Sequence, residues 1–152
     1  MQVPKDEAIE MIKDAHSEMR AKFNENKDLL LKLVEEDDWS FVIKIHAFIE
    51  AMVTELIITQ ISDSRIKSTV ERLPLSDGQA SKLKMVKELN LLNSNERKFI
   101  RYFSSLRNEL AHNIENVNFT FEGYINSLDK NQKNLGQTQL VGMLKAKIKS
   151  IT

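Results

Sequence analysis

Arg107-Asn108-Glu109-Leu110-Ala111-His112 is the stretch on which the reading of this chain turns. It ends the clearest helical pattern in the sequence and joins an arginine, an amide and one of only three histidines. Between Glu96 and Asn113 the apolar residues Phe99, Phe103, Leu106 and Leu110 recur at helical spacing, which predicts a helix with one buried stripe. Arg107 and Ala111 flank that stripe, as do Tyr102 and Ile100, so Arg107 is expected at the edge of the core. Residues five apart stand about 140° apart around a straight helix, so Arg107 and His112 do not share a face. Asn108 and His112, at i and i+4, do. A site using both the arginine and the histidine therefore needs the arginine's reach, a bend near Asn113, or a second copy of the helix. The second copy is the solution favoured here.

The whole chain sets the frame for that helix. A length of 152 residues predicts one domain over 1–152. Hydrophobic residues at 41% and charged residues at 29% suit a globular fold. Four glycines and two prolines leave few turns, which favours few, long helices. There is no cysteine, so no disulfide framework and no thiolate metal site; a reducing, cytoplasmic location is expected. The N-terminal MQVPKDEAIEMIKD lacks an apolar core of signal-peptide length, and no window is apolar enough to span a bilayer, so no membrane association is expected. A formal net charge of +0 argues against a general electrostatic attraction for nucleic acid and leaves room only for a local basic site.

In chain order, Pro4, Asp6 and Glu7 suit a helix start, and Ala8, Met11, Ile12, Ala15, Met19 and Phe23 continue at helical spacing toward Leu29–Val34. One long helix over about residues 5–36, bent near Asn24-Glu25-Asn26, is predicted. The acidic run Glu35-Glu36-Asp37-Asp38 ends it and reads as solvated surface. Asp38 is the expected cap of a second helix, Trp39 to Ile61, which is apolar almost all round and belongs inside a bundle or between subunits. Ile66 to Leu73 is a short helix, Leu75-Ser76-Asp77-Gly78 a turn, and Gln79 to Leu92 an amphipathic helix. Ser94 or Asn95 is the expected cap of the motif helix. After a polar loop over Asn113–Asn118, Phe119 and Phe121 insert into something apolar, and Tyr124–Leu128 forms a helical turn or two. Gln137 to Ile151 is a last helix, whose Lys145, Lys147 and Lys149 complement its C-terminus. Strand alternation is weak throughout. The predicted fold is an all-α, antiparallel bundle of four main helices plus short ones.

His46, Glu50 and Thr54 form one i, i+4 row on the apolar second helix. A carboxylate there requires a cation from another helix, since a lone buried charge is costly. Glu50 therefore reads either as a structural pair inside the bundle or as the group that orients Arg107. His46 reads as a satisfied buried polar residue and His16 as exposed on the first helix.

The motif and its context resemble a known family. RNELAH fits the R-x(4–6)-H signature of the HEPN superfamily, with a polar residue straight after the arginine. The layout of Trp39–Ile61, Pro74 to Gly78, Lys84 to Leu92, Glu96–His112 and Phe119-Thr120 is similar to the mannitol-operon-repressor branch of that superfamily. The resemblance spans roughly residues 38–128. It implies an antiparallel helical bundle that dimerises with its motif helices facing. It also implies a metal-independent endoribonuclease of toxin–antitoxin, defence or RNA-processing type, with RNA as substrate and an antitoxin or regulatory protein as partner. The alternative it carries is a non-catalytic, repressor-like transcriptional regulator or interaction module, although no helix-turn-helix reading head is visible.

The residues themselves suit such chemistry. Metal-free RNA cleavage needs a base for the 2′-hydroxyl, an acid for the leaving oxygen and positive charge at phosphorus. His112 can serve as base or acid, Arg107 offers a permanently charged fork to phosphate oxygens, and Asn108 can bond the phosphate or hold an imidazole tautomer. Glu50 completes the candidate set. A symmetric dimer would supply two histidines. The competing structural reading makes His112 and Asn113 a C-terminal cap that satisfies free carbonyls. No histidines stand at metal-ligand spacing and no glycine-rich phosphate loop is present, so neither metal nor cofactor is expected. Lys98 and Arg101 could extend a phosphate track, with plain solvation as their simpler role.

Overall fold

The computed structural model describes residues 24–128 together with Ser17, Ala21, Gly142, Lys145, Ala146, Lys147 and Lys149. Every element among the described residues is helical, and no strand occurs among them. In chain order these are α1 (Lys27–Glu35), α2 (Asp38–Ile61), a 3-10 turn (Ser64–Ile66), α3 (Lys67–Arg72), α4 (Lys82–Glu88), α5 (Ser94–His112), a second 3-10 turn (Ile114–Asn118) and α6 (Phe121–Ser127). A turn stands at Asn26, where the first helix was expected to bend. Most of the predicted first and last helices, and His16 with them, lie outside the described residues.

The apolar character of α2 is used on several sides at once. One cluster joins Leu33 of α1, Phe41 and Val42 of α2, Phe103, Leu106 and Leu110 of α5, and Phe121 of α6. A second joins Val53 and Ile57 of α2 to Val70, Leu75, Leu83, Val86 and Ile100. Val42 and Ile57 are fully hidden, as are Phe103 and Phe121 to within 1%. Each such side chain contributes about 1.5–3 kcal/mol by leaving water. Helices α2 and α5 run antiparallel: Trp39 Nε1 donates to Leu110 O at 3.1 Å, His46 meets Ser104 further along, and Val53 and Ile57 share a cluster with Ile100.

The acidic run after α1 is structural rather than idle surface. Asp37, not Asp38, caps α2: its carboxylate accepts from Ser40 N at 2.9 Å, and the bonds from Ser40 hold that carboxyl below the ordinary range. Asp38 instead accepts from Phe121 N at 2.9 Å and so fixes the start of α6 on α2. Glu36 pairs with Lys44 at 2.7 Å. Lys147, expected to complement its own helix end, serves α1 instead. It is 4% exposed and donates to the carbonyls of Val34 and Glu36 at the C-terminal end of α1.

The motif helix is capped by Asn93, ahead of both expected caps, Ser94 and Asn95. Asn93 Oδ1 accepts from Glu96 N at 2.9 Å, and Glu96 Oε2 accepts from Asn93 N at 2.7 Å, a reciprocal capping box. Of the three neighbouring cap formers only Asn93 has a glutamate three residues on. Helix α4 is shorter than its apolar pattern predicts. Ser81 caps it, and beyond Glu88 the chain turns through Asn90 at φ +53°. The loop after α5 is a 3-10 turn with Asn113 Oδ1 accepting from Glu115 N.

Candidate functional site

A cleft of about 190 Å³ opens between α2, the loop at residues 74–77, and α5. His46 and Glu50 line it from α2, and Ser104, Arg107 and Asn108 from α5; Pro74 to Asp77 form the third wall. The loop is held in place by backbone bonds from Lys82 N to Pro74 O (2.9 Å) and from Leu83 N to Leu75 O (3.0 Å). Leu75 anchors it in the core, and Gly78 turns it with a φ of +84°, a conformation that suits glycine.

Arg107 sits at the edge of the apolar stripe. Its Nη1 donates to Asn108 Oδ1 at 2.9 Å. Its Nε is shut off from solvent and has no hydrogen-bond partner, the one such side-chain atom among the described residues. A buried donor without an acceptor is costly, and a water, ion or ligand can complete its bonding. Asp77 lines the same cleft, but the guanidinium forms no ion pair with it.

Glu50 finds its cation on α4. Lys82 Nζ lies 2.9 Å from Glu50 Oε1 and 3.5 Å from Glu71 O. Of the two roles expected for Glu50, the bond it makes is the pair inside the bundle, although its side chain still lines the cleft beside Arg107. Nothing in the sequence distinguishes Lys82. A lysine at the start of an amphipathic helix reads as solvated, and only the fold shows it 2% exposed.

His46 is the imidazole that the fold brings to Arg107. Its Nε2 lies 3.1 Å from Ser104 Oγ, and its ring stacks on Phe103 with centroids 6.3 Å apart. Burial lowers its pKa below the usual histidine value, the charge of Arg107 lowers it further, and Glu50 acts in the opposite direction. Burial and the neighbouring guanidinium thus favour the neutral ring. The i, i+4 row with Glu50 was the one sequence signal for this position; its partner, 58 residues away, left none.

His112 is elsewhere. It is the last residue of α5, exposed, and it does not line the Arg107 cleft. Asn108, one turn earlier, lines the cleft and accepts from Arg107. The carbonyl of Glu109 is satisfied by Asn116 Nδ2 at 2.9 Å, so part of the helix end is tied off without the histidine. Lys98 and Arg101 are exposed along the same helix. On the far side of α5 a second, more open hollow of about 350 Å³ lies between Glu109, Phe119 and Tyr124. Burial, with the Glu109 charge, raises the Tyr124 pKa.

Among the described residues no three His, Asp or Glu side chains gather as metal ligands, and no helix is long and apolar enough to cross a membrane. No family model, curated protein or solved structure matches the chain.

Proposed function

We propose that the protein is a metal-independent, HEPN-type endoribonuclease that acts as a homodimer, with a phosphodiester held at the Arg107 cleft. The observation that carries this reading is the state of Arg107: a guanidinium in a cleft, bonded to Asn108, without an ion-pair partner among the described residues and with Nε unmatched there. A phosphate oxygen is the natural acceptor for such a fork. Because Glu50 is offset by Lys82, it does not cancel the guanidinium charge. Asn108 and the exposed His112 share the neighbouring face of α5, so a second copy facing this helix brings two imidazoles toward two clefts. Ile114 is 86% exposed and Val117 49%, which gives that end of α5 an apolar surface suited to a partner copy.

The test is cleavage of RNA in EDTA by wild-type protein, Arg107→Ala and His112→Ala, with oligomeric state measured in parallel. Cleavage lost in both variants, in a dimer, supports the reading. An inert wild type, or a His112 variant that cuts as well as wild type, removes it. Toxin activity, with an antitoxin as partner, predicts poor growth on expression of the wild type alone. The second reading is a non-catalytic, repressor-like regulator or interaction module. The absence of His112 from the lining of the Arg107 cleft and the net charge of +0 favour it. Its signature is function that survives replacement of Arg107 and His112.

A further inference from the structure

Of three hydroxyls on the two long helices, two follow one pattern and the third departs from it. Thr54 donates to the carbonyl four residues back, Glu50 O, at 2.9 Å, and Ser105 does the same to Arg101 O at 3.1 Å. This is the usual fate of a hydroxyl on a helix. Ser104 departs from it. Its hydroxyl oxygen meets His46 Nε2 across the helix interface at 3.1 Å, both residues line the Arg107 cleft, and both are almost fully buried. Nε2 and Oγ share one proton. If the serine supplies it, the hydroxyl has nothing left to donate. If the ring supplies it, the serine's own proton is available to an acceptor in the cleft.

We propose that His46 is a positioning residue of this cleft: its Nε2–H donates to Ser104 Oγ, so that the serine hydroxyl turns toward the phosphate group that Arg107 and Asn108 receive. This rests on the phosphate reading of the Arg107 cleft. The stack on Phe103 fixes the ring plane, and the serine is held in place by its position on α5, one helical turn before Arg107 and Asn108. The charged groups around the ring fit the assignment. Arg107 faces it from α5, Glu50 from its own helix, already engaged by Lys82 of α4, and Asp77 from the loop. Burial and Arg107 favour the neutral ring, whose one proton sits on either nitrogen, and the choice of nitrogen decides where the hydroxyl points. An arriving anion offsets Arg107 and favours protonation of the ring, which keeps the donor on Nε2.

The experiment measures binding of inorganic phosphate and of a non-cleavable 2′-O-methyl dinucleoside monophosphate, with nitrogen-15 spectra of the imidazoles. The ring of His46 should show the Nε2–H tautomer, and its pKa should rise when the dinucleotide binds. Ser104→Ala and His46→Leu should each weaken dinucleotide binding roughly 3- to 10-fold, the size of one hydrogen bond. The double variant should be no weaker than Ser104→Ala alone. His46→Gln, whose amide can donate to Oγ, should stay within about twofold of wild type. It also keeps the test alive if His46→Leu fails to fold. An Nδ1–H tautomer, or binding unchanged in Ser104→Ala, overturns the proposal. If Arg107→Gln abolishes binding while Ser104→Ala does not weaken it, the phosphate reading stands and only the role of His46 falls. If wild type binds neither ligand, both fall.

Discussion

Lys82 and Glu50 meet at 2.9 Å, but they are unequally hidden, with 2% of the lysine side chain exposed against 34% of the carboxylate. The consequence is an asymmetry between single variants. Glu50→Gln strands a buried ammonium and should cost about 3 kcal/mol. Lys82→Met leaves a carboxylate that water can reach and replaces a buried charge by an apolar chain of similar length, so its cost should be about 1 kcal/mol. Urea midpoints of the two variants test this, and equal losses would contradict it.

His46 makes stability depend on pH. Its folded pKa lies below the ordinary 6.5, because burial and Arg107 disfavour the charged ring more than Glu50 favours it. Between those two values the unfolded chain binds more protons than the folded one, so stability rises with pH. The contribution is complete above 6.5 and is lost as pH falls toward the folded value. Urea midpoints taken from pH 7.5 down to 5.5 should decline, and His46→Gln should flatten that decline.

Lys147 closes the end of α1. Its ammonium donates to Val34 O and Glu36 O and stands 5.0 Å from the centroid of the Phe41 ring. Lys147→Met keeps the stem but removes the donors, which leaves helix-end carbonyls unmet. The expected loss is about 1–3 kcal/mol in thermal or urea unfolding, with Lys147→Arg recovering part of it.

Gly78 isolates a pure backbone effect. It has φ +84°, and a Cβ built there meets nothing within 4 Å. Gly78→Ala should therefore destabilise by about 1 kcal/mol through conformation alone, and Gly78→Asn by less. Because Gly78 follows the loop that walls the cleft, ligand binding should weaken along with stability. A neutral Gly78→Ala would show that the loop adopts another turn.

The motif helix was readable because its signal is local. Phe99, Phe103, Leu106 and Leu110 repeat at helical spacing, and that repeat alone puts Arg107 at the core edge. The all-helical class followed from the same periodicity together with scarce glycine and proline. The caps fall at Asp37 rather than Asp38 and at Asn93 rather than Ser94 or Asn95, because neighbouring residues of similar capping propensity compete and only a bond decides. What could not be read was pairing across the chain. Nothing near Lys82 announces Glu50, and nothing near Ser104 announces His46. Glu50, Arg107 and Asn108 line one cleft, but the histidine beside them is His46, because α2 and α5 cross in an order that periodicity does not encode.

Trp39 is the sequence's single tryptophan, and its indole N–H is bonded to Leu110 O near the end of the motif helix. The molecule thus carries its own optical reporter at that place. Loosening of the last turn of α5, whether by a ligand, a second copy or heat, exchanges a carbonyl for water at the indole and shifts its emission toward the red. Intrinsic fluorescence can therefore follow that helix end without any label.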